Sequence, residues 1–152
     1  MPGMSFWGTF DTVASGLTAQ RFRIDVIADN IANANTTRGP DGKPYRRKIP
    51  VFAARDMDSM GPFGRGFGRN RIMGEDAAGV RVVGVAEDSS PGRLVYDPSH
   101  PDADENGYVH YPNVNVLREM VDMIDASRAF EAGITVMNTI KSMYQQALRI
   151  GR

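Results

Sequence analysis

The chain has 152 residues, with 18 basic and 18 acidic side chains, so its formal net charge is zero. A balanced charge argues against a protein whose main task is to hold nucleic acid, because such proteins normally carry a surplus of Lys and Arg. The chain contains no cysteine, which excludes disulfides, thiolate metal ligands and thiol catalysis. No run of about 18 apolar residues is present, so membrane insertion is not expected.

The N-terminal segment is predicted as a helix from about residue 5 to residue 34, roughly 45 Å long at about 1.5 Å per residue. It carries a heptad-like stripe with Gln20 as its polar exception: Phe6, Phe10, Val13, Leu17, Gln20, Ile24, Ile27, Ile31 and Ala34. Its start lacks the basic and apolar regions of a cleavable signal peptide. Any export is therefore expected to use a route that reads no such signal.

The end of this helix, VIADNIANANTT at residues 26–37, contains more amides than a helix stop requires. A single Gly or Asn is enough to end a helix, yet Asn30, Asn33 and Asn35 are all present here. Such side chains compete with the helical backbone for hydrogen bonds. Two roles stay open: capping a frayed helix end, or fixing the register of a contact with a neighbouring chain, as buried amides do in coiled coils.

Residues 36–112 lack the helical apolar period and are rich in turn residues and short Val-rich runs, so we predict an inserted β-rich domain there. GPDGKPYRRKIPVF opens with turn residues and leads into a strand at about residues 49–53. GVRVVGVAEDSSPGRLVYDP predicts a Val-rich strand, a turn at residues 89–92 and a strand at residues 93–96, and GYVHYP can add another. Residues 56–74, rich in Gly and Arg, are predicted as a flexible loop. So small a sheet is expected to need support from another element.

The C-terminal segment is predicted as a helix from about residue 114 to residue 149, roughly 54 Å long at about 1.5 Å per residue. Pro112 precedes it, and Asn113 or Asn115 is the predicted N-cap. Its stripe has polar exceptions at Ser127 and Lys141: Val116, Met120, Met123, Ser127, Phe130, Ile134, Met137, Lys141, Tyr144 and Leu148.

These segments predict a mainly α fold with a β-rich insertion, in which the two long terminal helices pair as a coiled coil. Residues 1–35 and 113–152 form the helical core domain in this interpretation, and residues 36–112 form the insertion. Val121, Ile124 and Ile140 widen the apolar face of the C-terminal helix beyond a two-stranded seam. Because the chain offers no third helix to cover that face, neighbouring subunits are the expected partners.

Two patterns in the insertion suggest chemistry but fit it poorly. DADENG at residues 102–107 matches the first half of a calcium loop, but Asn113 stands where that loop requires a bidentate Glu. An acidic turn before a strand is therefore the better interpretation. His100 and His110 lie near several carboxylates without the spacing of a metal-binding helix, so they are expected to be surface groups. No nucleophile arrangement is found, and we expect no enzyme, no metal and no cofactor.

GPFGRGFGRNR at residues 61–71 interleaves Arg with Phe and Gly, as in RNA-binding tails. No Gly-Lys-Ser/Thr follows it, so it is not a phosphate loop. A mobile surface loop that orders against a partner is the preferred interpretation. The alternative function is a small helical adaptor that binds RNA through this tract.

The two ends of the chain resemble the flagellar axial proteins, the family of rod and hook components. VIADNIANANTT is similar to their N-terminal signature, and YPNVNVLREMVDMIDASRAFEAGITVMNTIKSMYQQALRIG is similar to their C-terminal one. Together with GPDGKPYRRK and DPSHPDADENGYVHYPNVN, they resemble more narrowly the basal-body rod proteins of the FlgC type, in the proximal rod. Three positions depart from the usual family residues: Asp29 for Asn, Phe130 for Tyr and Gly133 for Asn.

The resemblance implies a structural subunit of the proximal rod, the drive shaft that transmits torque across the periplasm. It implies export of the unfolded chain through the flagellar type III apparatus without signal cleavage. It also implies a coiled-coil core that lines a central channel, with the inserted domain facing outward. The expected partners are neighbouring rod subunits, other flagellar rod proteins and the basal-body rings, with no nucleic acid.

The expected assembly interface combines amides near the helix ends with residues on or beside the two stripes. Each apolar member is worth roughly 1.5 to 3 kcal/mol when fully buried. Because a free chain lacks these contacts, its termini are expected to be labile until assembly orders them. The interface set is Ile27, Asn30, Ile31, Asn33, Asn35, Asn113, Asn115, Met120, Met123, Ser127, Arg128, Phe130, Ile134 and Met137.

Overall fold

The computed structural model describes residues 6–56 and 77–150, with the side chains of residues 8–55 and 79–149. In chain order the elements are helix α1 (Phe6–Ala32), strands β1 (Lys48–Asp56), β2 (Ala77–Glu87), β3 (Leu94–Tyr96) and β4 (Tyr108–His110), and helix α2 (Val116–Ile150). Two long helices thus flank a small region of strands, as predicted. Neither described helix is apolar enough to cross a membrane. Nearly all of the loop predicted at residues 56–74, including the tract at residues 61–71, lies outside the described residues.

Helix α2 begins at a side-chain cap. Asn115 Oδ1 accepts a hydrogen bond from the backbone N–H of Arg118 at 3.1 Å, the geometry of an N-cap residue. The Asn115 carbonyl accepts the N–H of Glu119 at 3.0 Å, which starts the helical ladder. Of the two predicted caps, Asn115 is therefore confirmed, and Asn113 has a different role described below.

The two helices pack side by side in opposite directions, since Leu17 lies against Gly133 while Asn30 contacts Glu119. A β-carbon at Gly133 would lie 2.7 Å from Leu17 Cδ2. Glycine in a helix interior costs about 1 kcal/mol relative to alanine, but here it leaves the space that the leucine occupies. The unexpected glycine of α2 is thus explained by close packing.

The side of α2 that faces α1 is shifted from the predicted stripe. Met120 and Ile134, which belong to that stripe, are 51% and 40% exposed. The prediction is wrong at these positions because small residues bring the helices together although they contribute little hydrophobicity. The less exposed positions recur at heptad spacing: Glu119, Met123, Ala126, Phe130, Gly133, Met137 and Ile140.

Strands β1 and β2 form an antiparallel hairpin that packs against α1. The backbone N–H of Val80 donates to Ser15 Oγ at 3.1 Å, and Arg55 forms an ion pair with Asp11 at 3.0 Å. Gly79 has φ 112°, and a β-carbon there would overlap the Ser15 hydroxyl. An isolated two-stranded sheet is at best marginally stable, so α1 supplies the support that the sequence predicted the sheet would need.

Strands β3 and β4 form a second antiparallel pair, and the acidic segment predicted as a turn precedes β4. Asp104 Oδ1 accepts the backbone N–H groups of Asn106 at 2.9 Å and Tyr108 at 2.8 Å, and Gly107 has φ 79°. Asp102 instead accepts the Thr37 hydroxyl at 2.8 Å. These carboxylates therefore close the turn and tie it to the segment that follows α1.

Candidate assembly interface

Asn30, near the end of α1, is the centre of a buried polar junction. Its side chain is 1% exposed, and its Nδ2 donates to the Lys48 carbonyl at 2.9 Å and to Glu119 Oε2 at 3.0 Å. Its Oδ1 accepts the Lys48 backbone N–H and the Tyr45 hydroxyl, both at 2.9 Å. One amide thus joins α1, the start of β1 and the first turns of α2.

Glu119 is the buried charge of the same junction and is also 1% exposed. Arg47 Nε donates to Glu119 Oε1 at 2.7 Å, while Arg47 Nη2 lies 3.5 Å from Asp122 Oδ2. Arg23 of α1 approaches the other oxygen of Asp122 at 3.7 Å. A buried carboxylate is costly unless it is paired and hydrogen-bonded. Arg47 and Asn30 provide that compensation, so the junction is satisfied within the single chain.

Three more of the predicted amides, Asn35, Asn113 and Asn115, line one open groove of about 720 Å³ beside the start of α2. Asn113 Oδ1 accepts the backbone N–H of Arg47 at 2.8 Å, and its Nδ2 donates to the carbonyls of Asp88 and Ser90, both at 3.1 Å. Asn115 caps the helix. Asn35 is exposed and has no side-chain hydrogen bond among the described residues. Of the three, Asn35 has the most hydrogen-bonding capacity left for a partner.

The remaining α1 members of the predicted interface have contacts within the chain. Asn33 Nδ2 donates to the Asp29 carbonyl at 2.9 Å, and its Oδ1 accepts the Thr36 hydroxyl at 3.2 Å, so it closes the turn after α1. Ile27 is buried and Ile31 is half-buried. A contact between these residues and a neighbouring subunit stays a prediction.

The predicted interface residues of α2 divide between two faces. Met123, Ser127, Phe130 and Met137 are half-buried. Met120, Arg128 and Ile134 are exposed. The structure therefore does not bring the whole predicted set onto one continuous surface of the single chain.

An exposed apolar cluster on α2, here named the α2 patch, includes three residues outside the predicted interface set: Leu117, Val121 and Ile124. Leu117 is 74% exposed, and Met120, Val121 and Ile124 are each just over half exposed. Spacings of three, four and seven residues place all four on one helix face. In the sequence analysis Met120 belongs to the predicted stripe and Val121 and Ile124 to the widened apolar face, whereas Leu117 belongs to neither. Contiguous exposed apolar side chains of this kind commonly mark an interaction surface.

The chemistry of the described residues is that of packing and hydrogen bonding. Within residues 6–56 and 77–150, no three His, Cys, Asp or Glu side chains are placed to hold one metal ion. The carboxylates of the junction are neutralised by arginines, and those of the β3–β4 turn accept backbone N–H groups. The arrangement can fix the relative positions of elements and present an apolar surface.

Comparison with known proteins extends this picture to the whole chain. The family model "Flagella basal body rod protein" matches residues 10–40, and "Flagellar basal body rod FlgEFG protein C-terminal" matches residues 105–150. The flagellar basal-body rod protein FlgC of Borreliella burgdorferi is 50% identical over 97% of this chain and 98% of the relative. Those of Salmonella typhimurium and Bacillus subtilis are 42% and 41% identical, each over 98% of this chain and 100% of the relative. At this identity and coverage, the chain belongs to the FlgC family of flagellar basal-body rod proteins.

Proposed function

We propose that the chain, a structural subunit of the flagellar basal-body rod, assembles through α1 and α2 into the proximal part of the shaft that transmits torque. The observation that carries this proposal is the α2 patch, a contiguous apolar surface on the helix face opposite α1. The family is structural, and the chain is not an enzyme. Nothing in its relatives supports the RNA-binding alternative.

In the assembled rod, the helices form an antiparallel coiled coil made of residues 1–35 and 113–152, with the insertion of residues 36–112 facing outward. The heptad recurrence on α2 supports this arrangement: Glu119, Ala126, Gly133 and Ile140 repeat every seven residues, as do Met123, Phe130 and Met137. The stripe of α1 repeats with the same period. Such a core would be long and stiff, as a shaft requires.

The partners in this proposal are neighbouring rod subunits, other flagellar rod proteins and the basal-body rings. The chain reaches the periplasm through the flagellar type III export apparatus and keeps its N-terminus. Among the predicted interface residues, the exposed side chains of Asn35, Met120, Arg128 and Ile134 are best placed to meet a neighbour.

Mass spectrometry of purified basal bodies from the source cell tests the proposal. We expect peptides of this chain there, including an N-terminal peptide intact from Pro2 onward. Detection only in the soluble cytoplasm of cells with normal flagella would overturn it.

Deletion of residues 61–71 separates the rod proposal from the RNA alternative. The rod proposal expects no salt-sensitive RNA binding by the full chain or by the deletion variant. The RNA alternative expects binding that depends on the tract.

A further inference from the structure

The α2 patch lies on the face of α2 opposite α1. Ala126 and Gly133, which pack toward α1, lie roughly half a helical turn around the axis from Leu117 and Ile124. No described element of the chain covers the patch, since its four side chains are all exposed. Single exposed apolar residues are ordinary, but four on one face form a surface for a second helix.

Helix α1 also has a free side, here named the α1 outer stripe and formed by Arg21, Asp25, Ala28 and Ala32. All four residues are exposed, and their spacing places them on one face of the helix. The other sides of α1 contact α2 and the β1–β2 hairpin. The two alanines leave room for bulky side chains of another helix to approach the backbone of α1.

The charges beside these two surfaces fit each other in one register. Arg128 and Glu131 follow the α2 patch on the same helix face, and Asp25 and Arg21 precede Ala28 on the α1 outer stripe. Among the described residues, the side chains of these four have no ion pair or hydrogen bond within the chain. With the helices antiparallel and Ile124 over Ala28, Arg128 meets Asp25 and Glu131 meets Arg21.

We propose that the α2 patch of one copy docks on the α1 outer stripe of the next copy, antiparallel and in this register. The proposal rests on the proposed function, since it names the contact through which rod subunits add to one another. In a rod, neighbouring subunits point the same way along the axis. Because α1 and α2 are antiparallel within a subunit, α2 of one copy and α1 of the next are then necessarily antiparallel as well.

The contact joins two different surfaces, so it is heterologous. In a pair, one copy keeps an unused α1 outer stripe and the other keeps an unused α2 patch, which allows addition to continue instead of stopping at a dimer. The apolar side chains of the patch supply the contact area. The two ion pairs select the register, because a shift along the helix would place like charges together or leave them unpaired.

Disulfide trapping tests the contact directly, because the natural chain contains no cysteine. Cells would express the full chain carrying Ala28→Cys and Ile124→Cys, and their purified basal bodies would be oxidised and run on denaturing gels. We expect a ladder of dimers and larger products of this chain, whereas each single variant gives none. Ala28→Cys with Asn138→Cys is the matched control, because Asn138 is exposed on the same side of α2 but about 20 Å further along.

Four results would overturn the proposal, and the first three are intermolecular products. They are equal ladders from the control pair, homotypic dimers from Ile124→Cys alone, and a product that joins this chain only to a different rod protein. The last would show that another component occupies the patch. The fourth is a monomer with an internal cross-link, recognised because its mobility changes on reduction. It would contradict the faces assigned to Ala28 and Ile124.

Charge reversal gives a second readout that does not depend on the cysteines being tolerated. Arg128→Asp or Asp25→Arg alone should lower the incorporation of the chain into basal bodies by roughly three- to tenfold, since each places like charges together. The two changes together should restore incorporation, whereas Lys43→Asp, an exposed change outside both helices, should leave it unchanged. Failure of the double variant to recover would count against the ion pair.

The register and the proposed function fail in different ways. If the wild-type chain is absent from basal bodies, the rod function fails. If the chain is present and the Ala28→Cys and Ile124→Cys variant is incorporated but gives no ladder, the register fails and the function stands.

Discussion

The two ends of the helical pair are built differently. At one end, Asn30 and Glu119 are each 1% exposed and all their hydrogen-bonding partners lie within the chain. At the other end, every residue of α2 from 141 to 149 is exposed, including Met143 and Leu148. The chain therefore fixes the first end by itself and leaves apolar side chains exposed at the second.

This difference suits a subunit that must arrive with a defined shape and still complete its packing in an assembly. Buried polar groups specify one arrangement of elements because any other leaves them unsatisfied. Exposed apolar side chains gain roughly 1.5 to 3 kcal/mol each when a partner buries them fully. The buried junction thus lies on the inner face of the first end, whereas exposed apolar side chains lie on its outer face, at the α2 patch, and along the last turns of α2.

Glu119→Ala should have the largest effect on the fixed end. It removes the acceptor of both Arg47 and Asn30 and leaves those groups poorly paired in a buried site. Loss of one partner of a buried ion pair typically costs about 3 to 5 kcal/mol. Urea unfolding followed by helical circular dichroism would measure the loss. Asp125→Ala, an exposed change on the same helix, should cost under about 0.5 kcal/mol; equal effects of the two would contradict the junction's importance.

Two helical glycines should respond in opposite ways to the same change. Gly16→Ala in α1 has open space around its β-carbon, so it should stabilise the chain by about 0.5 to 1 kcal/mol through helix propensity. Gly133→Ala would press against Leu17, and overpacking of this kind typically costs about 1 to 3 kcal/mol. The Gly133→Ala variant should therefore be less stable than the Gly16→Ala variant in matched urea titrations.

Leu17→Ala provides the control for this pair. In that background the added methyl at Gly133 finds space, so the penalty of Gly133→Ala should largely disappear. A penalty that persisted would show that the clash lies elsewhere.

Tyr45→Phe should weaken the junction modestly. It removes the hydroxyl that donates to Asn30 Oδ1, a loss of about 1 kcal/mol for one hydrogen bond. Burial, followed by the negative charges of Asp29, Glu119 and Glu87, raises the pKa of Tyr45 in the folded chain. Its stabilising contribution is therefore complete below the unfolded value of about 10 and falls as pH rises through the folded pKa.

Urea titrations from about pH 7 to about pH 11 would test this sign, since the alkaline loss attributable to Tyr45 must disappear in the Phe variant. Tyr96→Phe is the matched control, because Tyr96 is 65% exposed and its hydroxyl has no hydrogen-bond partner among the described residues. An alkaline loss of the same size in the Tyr45→Phe variant would contradict the assignment.

Leu148→Ala should have the smallest effect on the isolated chain, within about 0.5 kcal/mol, because the side chain is 58% exposed. Its effect should appear in assembly, as reduced incorporation into basal bodies. Hydrogen exchange of the free chain should be faster at residues 141–149 than around Glu119, since exposed helix ends open locally. Strong exchange and protease protection of these last turns in a dilute monomer would contradict the contrast between the two ends.

The elements follow from the sequence more closely than their contacts do. The spacing of apolar residues predicts both helices, and Pro112 and Asn115 predict where α2 begins. These local signals place the elements within a few residues of their observed bounds. The strands also follow from local composition. The register in which β1 pairs with β2 is different, because residues 57–76 separate the two strands in sequence and no local signal specifies which residues pair.

The partners of Asn30 show why the site was harder to predict. Its contacts with Lys48 and Glu119 span 18 and 89 residues, so the sequence shows the unusual amide but not what it bonds. The facing side of α2 was missed for another reason. Apolar residues occur on several of its faces, and the small Ala126 and Gly133 that mark the contact carry little hydrophobic signal.

The long span of the junction also sets the order in which the chain can fold. Closing the bond between Asn30 and Glu119 brings together residues 89 positions apart, and contacts of such separation form slowly because the intervening chain must lose entropy first. Until the first turns of α2 are in place, Asn30 and Arg47 lack their shared partner Glu119, so the junction can close only late in folding.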